Sequence, residues 1–382
     1  MSAKTGRRLD HDLLRVLCMA GVVYLHTAAG ALRAYTGVVW HFANLASSLA
    51  TAAVPLFFML SGALLLGQES TGELSTLFRR RLPKVAVPLV VWSLVVIALE
   101  GFQKGAEASG SLLLNFLSNP VLVPYWFLYA LIPIYLVTPF LKRMTDRLQE
   151  DHWNYLVLLW LVLTIGLRTI RDFLPADHPL YTALTVHWTF NVNFVDGYLG
   201  YFLLGARLVR LKRLPSRRVL WAAALGSYGI IAVGTWLLRR YTGTYDERFK
   251  SYVHIFTVVL SIAIFLLARS YLEHDRSPRW LAGLSGLSFG VYLVHPMAIS
   301  FWMWVWGNFF HWTADSLGRH LLLYVEILLS CLAGIFLVAS IKPLCFPLTG
   351  QRFSAACRES NLFALLRRDG AGPDGDTPRN KP

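Results

Sequence analysis

Stretches of about 20 apolar residues recur along the chain, the length an α-helix needs to cross the ~30 Å hydrocarbon core of a bilayer. Ten are legible, at roughly 12 to 30, 45 to 67, 83 to 100, 122 to 140, 154 to 173, 192 to 209, 219 to 238, 252 to 272, 284 to 305 and 319 to 342. In lipid every backbone N–H and C=O must be bonded internally, which leaves helices and closed barrels as the spanning structures. Continuous apolar runs of this length specify helices. The expected fold is therefore all-α, a polytopic transmembrane helix bundle of about ten spans. Composition agrees: 55% of the 382 residues are hydrophobic and 15% charged, where a soluble domain carries about 25% charged residues. Residues 1–350 are expected to form the membrane domain. The segment 351–382 ends in RRDGAGPDGDTPRNKP, which is too polar and too rich in Gly and Pro to pack, and is expected to be a disordered tail.

The net charge of +14 reads first as topology. Lys and Arg concentrate in the N-terminus, the even-numbered loops and the tail, so the positive-inside rule places both termini in the cytoplasm. The short basic start (Lys4, Arg7, Arg8) leads into the first apolar stretch as a retained signal anchor. Cations spread over alternate loops form no concentrated basic face, so nucleic acid is not an expected partner. Trp40, Trp126, Trp153, Trp188 and Trp280 lie near span ends, as interfacial anchors do. Cys18, Cys331, Cys345 and Cys357 have no metal-type or paired spacing, so neither a metal nor a disulfide framework is expected.

Within the first stretch, DLLRVLCMAGVVYLHTAAG, two ionisable groups stand out, Arg15 and His26. Such groups in a span are costly and usually face a protein interior or a cavity. Eleven positions is close to three helical turns, so both project from one face about 16 Å apart. On this topology Arg15 lies toward the cytoplasm and His26 toward the outer half of the membrane. By themselves the two have bland readings, a snorkelling Arg and a helix-packing His.

The surrounding motifs add to them. Asp12-Leu-Leu-Arg15 with His26, VPLFFMLSG from Val54, the basic run Arg79, Arg80, Arg81 and Lys84 before Pro88, WFLYALIPIYLVTPFL from Trp126, YFLLGARL from Tyr201 and LSFGVYLVHP from Leu287 occur in that order. In them the chain resembles the acyltransferase-3 family of integral-membrane acyltransferases, in its short form, similar to the O-acetyltransferases that decorate enterobacterial common antigen. The resemblance implies an inner-membrane enzyme that moves an acyl group, acetyl in the first instance, from cytoplasmic acyl-CoA to a hydroxyl of a cell-surface glycan or its lipid-linked precursor. One departure is visible. Family members often carry a His shortly before the Trp-Phe of the fourth helix, where this chain has Pro124 and Tyr125.

On that reading Arg15 serves the donor, since a guanidinium binds phosphate bidentately, and a pantetheine arm on the order of 16 to 20 Å matches the rise to His26. His26 is the general base for the acceptor hydroxyl. Arg79, Arg80, Arg81 and Lys84 are candidate phosphate contacts, or simply a topology-setting loop. Asp12, at i, i+3, is placed to orient Arg15 or to favour the helix N-terminus. Ser288, Tyr292 and His295 share a face of the ninth span, lining an acyl channel or joining helices. Trp126, and Asn191, Asn193 and Asp196 at the start of the sixth span, are candidates for the acceptor; the latter three equally suit a helix cap. Glu326 has no partner legible in sequence. The competing readings are a transporter or flippase for a lipid-linked glycan, with Arg15, His26 and His295 as its path, and a nonenzymatic membrane partner.

Overall fold

The structure, a computed structural model, describes residues 7–185 and 197–369. It is all-α, and among the described residues nine helical segments are long and apolar enough to cross a membrane. The first is α1 (Leu9–Ala34). The second, expected at 45 to 67, runs from Gly37 to Leu66 as two helices, α2 (Gly37–Ala50) and α3 (Ala53–Leu66). Pro55 accounts for the break: its ring clashes with the carbonyl four residues back, at Thr51, and it donates no hydrogen bond. Then follow α4 (Leu82–Lys104), α5 (Trp126–Thr145), and a fifth span made of α6 (Glu150–Trp160), a π-helical turn and α7 (Leu167–Asp172).

The sixth expected span is corrected. Its helix, α8 (Tyr198–Val209), has only 12 residues, about 18 Å at 1.5 Å per residue and well short of a bilayer core. Gly200 to Leu208 are all buried, so α8 meets protein rather than lipid and escapes the length requirement. The bundle closes with α9 (Arg217–Thr242), α10 (Ile255–Leu272), α11 (Arg279–Val305) and α12 (Leu317–Ser340). Helix α1 is central, packed against α2, α3, α10, α11 and α12.

The expected tail, 351–382, is corrected over residues 351–369, and 370–382 lie outside the described residues. From 342 the chain forms α13 (Lys342–Thr349), α14 (Phe353–Glu359) and α15 (Leu362–Asp369). Gly350, at φ +67°, turns the chain where a Cβ would stand 2.3 Å from the Lys84 carbonyl oxygen. Its polar residues bond to the bundle instead of to water: Gln351 Nε2 donates to the Gly286 carbonyl, Ser360 Oγ to Gln351 Oε1 at 2.8 Å, and Asn361 Nδ2 to the Ala339 carbonyl at 2.9 Å. Two of the expected interfacial tryptophans are core residues. Trp40 and Trp153 are 2% and 3% exposed, each beneath an arginine, Arg239 at 4.4 Å and Arg210 at 5.0 Å. Trp188 lies outside the described residues.

The tightest helix contact is between α3 and α8. A Cβ on Gly62 would lie 1.7 Å from the Phe202 oxygen, and one on Gly205 would lie 2.0 Å from that of Met59. Small residues that let backbones touch are how helices associate where no hydrophobic force separates them from lipid. Gly205→Ala is expected to destabilise the bundle by about 1–3 kcal/mol or more, read as a lowered melting temperature in detergent. Gly226→Ala, where no atom lies within 4 Å of the new Cβ, is expected to leave it unchanged.

Candidate functional site

Arg15 and His26 open into different cavities at the two ends of α1. The first, about 420 Å³, lies between α1, α4, α5, α11 and the strap 349–359, and contains Arg7, Arg15, Lys84, Ser285, Ser288 and Arg352 among its polar lining. Phe57, Phe127, Leu131, Tyr135, Phe289 and Tyr292 supply its apolar wall. The charges at its mouth are unequal. Arg7 is committed, bonding Asp12 at 2.6 and 2.9 Å and pairing with Glu359. Arg15, half-buried, reaches only the Ser285 hydroxyl, at 3.4 Å. Lys84 and Arg352 have no carboxylate within 4.0 Å among the described residues. Three cations therefore face a cavity without compensation.

This geometry corrects two expectations. Asp12 does not pair with Arg15: it accepts from Arg7 and from Ser285 Oγ at 2.6 Å, and Ser285 alone links the two. The basic cluster divides. Lys84 lines the cavity, whereas Arg79 and Arg80 are exposed and outside its lining, and Arg81 bonds Gln68. Arg79, Arg80 and Arg81 fall on a π-helical turn, Leu77–Arg81, that precedes α4. Arg352, in what reads as tail, takes their place.

The second cavity, about 570 Å³, is lined by His26, Trp126, Tyr198, Tyr245, Tyr252 and a set of charged residues. Trp126 and Tyr252 stack, centroids 5.7 Å apart at 23°, and Tyr198 lies 4.9 Å from Trp126, forming an aromatic platform. Glu247, Arg248, Lys250 and His254 come from the connection between α9 and α10, Arg33 from α1 and Asp172 from α7, and all are absent from the sequence expectations. Arg33 pairs with Glu247 at 2.8 Å, and Arg248 with Asp246 at 2.8 Å. Burial alone would raise the Asp246 carboxyl, but hydrogen bonds from Arg248 hold it below the usual range. Lys250, 8% exposed, donates to Ser47 Oγ at 2.7 Å and to the Asn44 carbonyl at 3.4 Å. Both ring nitrogens of His254 are engaged, by the Arg248 carbonyl at 2.7 Å and Asp172 at 3.0 Å, so this imidazole has none left for a substrate proton. Their only sequence signal is density, with charged and aromatic residues crowded into TYDERFKSYVH.

His26 differs from His254. It is half-buried, faces the cavity and forms no ion pair or hydrogen bond among the described residues, its ring contact being with His295 at 5.2 Å between centroids. His295 is fully buried, with Nδ1 2.5 Å from the Tyr292 carbonyl and Nε2 without a partner. A carbonyl can only accept, so Nδ1 carries the proton and Nε2 presents a lone pair.

These residues also join the cavities. Tyr292 lines the first and packs 5.7 Å from His295, which touches His26 of the second, while the neighbours Phe127 and Trp126 line one cavity each. The Tyr292 hydroxyl bonds the Pro124 carbonyl, and Tyr125 donates to the Leu293 carbonyl at 2.8 Å. Tyr125, just before Trp126, thus fastens α5 to α11 and lines neither cavity. Ser288 lines the first cavity and bonds its own helix at the Leu284 carbonyl, 3.2 Å. Glu326 accepts from Trp306 Nε1 at 2.9 Å, a structural pairing. Asn191, Asn193 and Asp196 lie outside the described residues.

No curated protein and no solved structure matches the chain. A family profile described as an acyltransferase domain matches residues 9–342, which takes in α1 through α12, the whole second cavity and the first except Arg7 and the strap 349–359. The chain belongs to the acyltransferase-3 family of membrane acyltransferases.

Proposed function

We propose that the protein carries an acyl group, acetyl in the first instance, from acyl-CoA at the Arg15 cavity to a hydroxyl of a cell-surface glycan or its lipid-linked precursor at the His26 cavity. The observation that carries this reading is the placement of Arg15 and His26 in separate cavities joined through Tyr292 and His295. On the positive-inside topology the first cavity opens to the cytoplasm of an inner-membrane protein. Its volume suits an extended acyl-pantetheine arm, not a whole CoA. The nucleotide phosphates then stay at the mouth, beside Arg15, Lys84 and Arg352, where cations without carboxylate partners favour them. The aromatic platform of Trp126, Tyr198 and Tyr252 offers apolar faces to the C–H side of a sugar ring. The charged connection beside it offers hydrogen bonds to the sugar hydroxyls.

The chemistry needs one base. His26 takes the acceptor proton as the hydroxyl oxygen attacks the thioester carbonyl. The tetrahedral intermediate collapses with cleavage of the C–S bond, and the imidazolium returns the proton to the departing thiolate. One ester forms, one thioester breaks, and His26 ends as it began. His295 acts as a positioning residue: its Nε2 lone pair accepts the N–H of His26 after a small ring rotation and leaves the other His26 nitrogen as the base. It then steadies the imidazolium.

His26→Ala is expected to lower acyl-CoA turnover by 10²-fold or more with a melting temperature close to that of wild type, because the half-buried ring makes no hydrogen bond or ion pair among the described residues before it turns to His295. Turnover within tenfold of wild type would remove His26 as base. Arg15→Ala is expected to raise KM for acyl-CoA about tenfold, near 1.4 kcal/mol, while Arg79→Ala leaves it unchanged; equal effects would make the cations a diffuse field. His295→Leu is expected to lower kcat ten- to a hundredfold at constant donor KM and to displace the acid limb of the pH profile. His295→Gln, which keeps an acceptor near the Nε2 position, is expected to recover most of the rate. A purely structural role predicts no recovery of rate and no change in the profile.

A further inference from the structure

A third cavity, about 670 Å³, lies beside the donor cavity, at the start of α11, against the last turns of α12 and beneath α14 and α15. Its lining is divided. Arg279 and Arg358 stand at the rim, with no ion pair or hydrogen bond among the described residues. Leu284, Leu287 and Phe336 of the membrane-spanning helices and Leu365 of α15 form an apolar wall. Trp280, at the rim, is 58% exposed, and Leu362, Phe363, Leu365 and Leu366 of α15 are 44% to 57% exposed, too apolar a surface to leave in water. Two uncompensated cations, an interfacial Trp and an adjoining apolar wall match one ligand in charge and shape, an anion with hydrocarbon attached.

We infer that this cavity holds an anionic phospholipid, its phosphate between Arg279 and Arg358 and an acyl chain along Leu284, Leu287, Phe336 and Leu365. A free phosphate satisfies the arginines but leaves the apolar wall uncovered; a zwitterionic lipid fills the wall but neutralises the rim less well. Helix α15 then lies on the membrane surface with its leucines in the headgroup region.

The site has a route to the donor cavity. Glu359 lines both, and its carboxylate pairs with Arg7, which holds Asp12. Its carbonyl oxygen sits 2.5 Å from where a Cβ on Gly283 would be, so α14 is seated directly on α11. Next to it, Ser360 holds Gln351, beside the donor-facing Arg352. A bound lipid keeps this strap closed on the cavity, so anionic lipid lowers KM for acyl-CoA. That second claim rests on the proposed donor role of the cavity; lipid binding does not.

The test is lipid retention by the full-length protein, delipidated in neutral detergent and titrated with phosphatidylglycerol or phosphatidylcholine under native mass spectrometry. Wild type is expected to retain phosphatidylglycerol at least fivefold better. Arg279→Gln/Arg358→Gln is expected to bring the preference below twofold, and Arg213→Gln/Arg218→Gln, at exposed arginines away from this cavity, to preserve it. Leu284→Trp, which fills the apolar wall and keeps both arginines, is expected to reduce retention as well, and Arg279→Lys/Arg358→Lys to restore the preference in a folded protein. Retained preference in the glutamine variant overturns the site. So does competition by inorganic phosphate at equal concentration, which identifies a simple anion site, and so does binding only after deletion of 370–382, which makes that segment the occupant. If lipid binds as expected but donor KM does not change with it, the coupling fails and the site stands.

Discussion

Inside a bilayer a polar group must find its partner in the protein, and that constraint organises this molecule around α1. The helix carries Asp12 and Arg15 at one end and His26 at the other, and it packs against five helices. Almost every polar group near it is answered. Asp12 is held by Arg7 and Ser285, Thr27 bonds the Val23 carbonyl, and Tyr24 bonds His320. Two groups without a hydrogen bond among the described residues stand together at the site, His26 and the buried Nε2 of His295 beside it, whereas others near α1, such as His11 Nε2 and His320 Nδ1, line neither cavity. Leaving such groups unanswered costs stability, which is why they are informative where most are paired.

The same constraint explains the division of labour between the ends. Cations without a carboxylate within 4.0 Å among the described residues, Arg15, Lys84 and Arg352, gather at one end, while at the other Arg33 is paired with Glu247 and Lys250 bonded to Ser47 beside the rings of Trp126, Tyr198 and Tyr252. Between them lies a packed junction of Phe127, Tyr292 and His295, its backbone and phenol groups mutually bonded. The α3–α8 glycine contact and the Tyr125 bond to α11 hold the walls of this junction at fixed spacing.

Much of this was legible in the sequence because it follows from periodicity. Apolar windows locate nine long helices, and a spacing of eleven puts Arg15 and His26 on one face of α1. What escaped depends on contacts remote in sequence or on backbone geometry. Lys250 and His254 meet Ser47 and Asp172 across 203 and 82 residues, and their connection has no period to read. The i, i+3 spacing allows Asp12 to bond Arg15, but Arg7 has the better position, because the Ser277 amide bonds its carbonyl and fixes the N-terminal strand beside α11. Arg79, Arg80 and Arg81 fall on a π-helical turn that no sequence period announces, and they stand outside the cavity lining. Polar residues that read as solvated tail instead bond the backbone of α11 and α12.

The central claim is transfer between two compartments through one helix bundle, and sidedness tests it most directly. Protein reconstituted in one orientation in sealed vesicles would receive labelled acyl-CoA on the side of the N-terminus and a hydroxylated glycan acceptor inside or outside. The account predicts labelled ester on acceptor held opposite the donor, with CoA released on the donor side. Ester formed only on acceptor sharing the donor's compartment would contradict it.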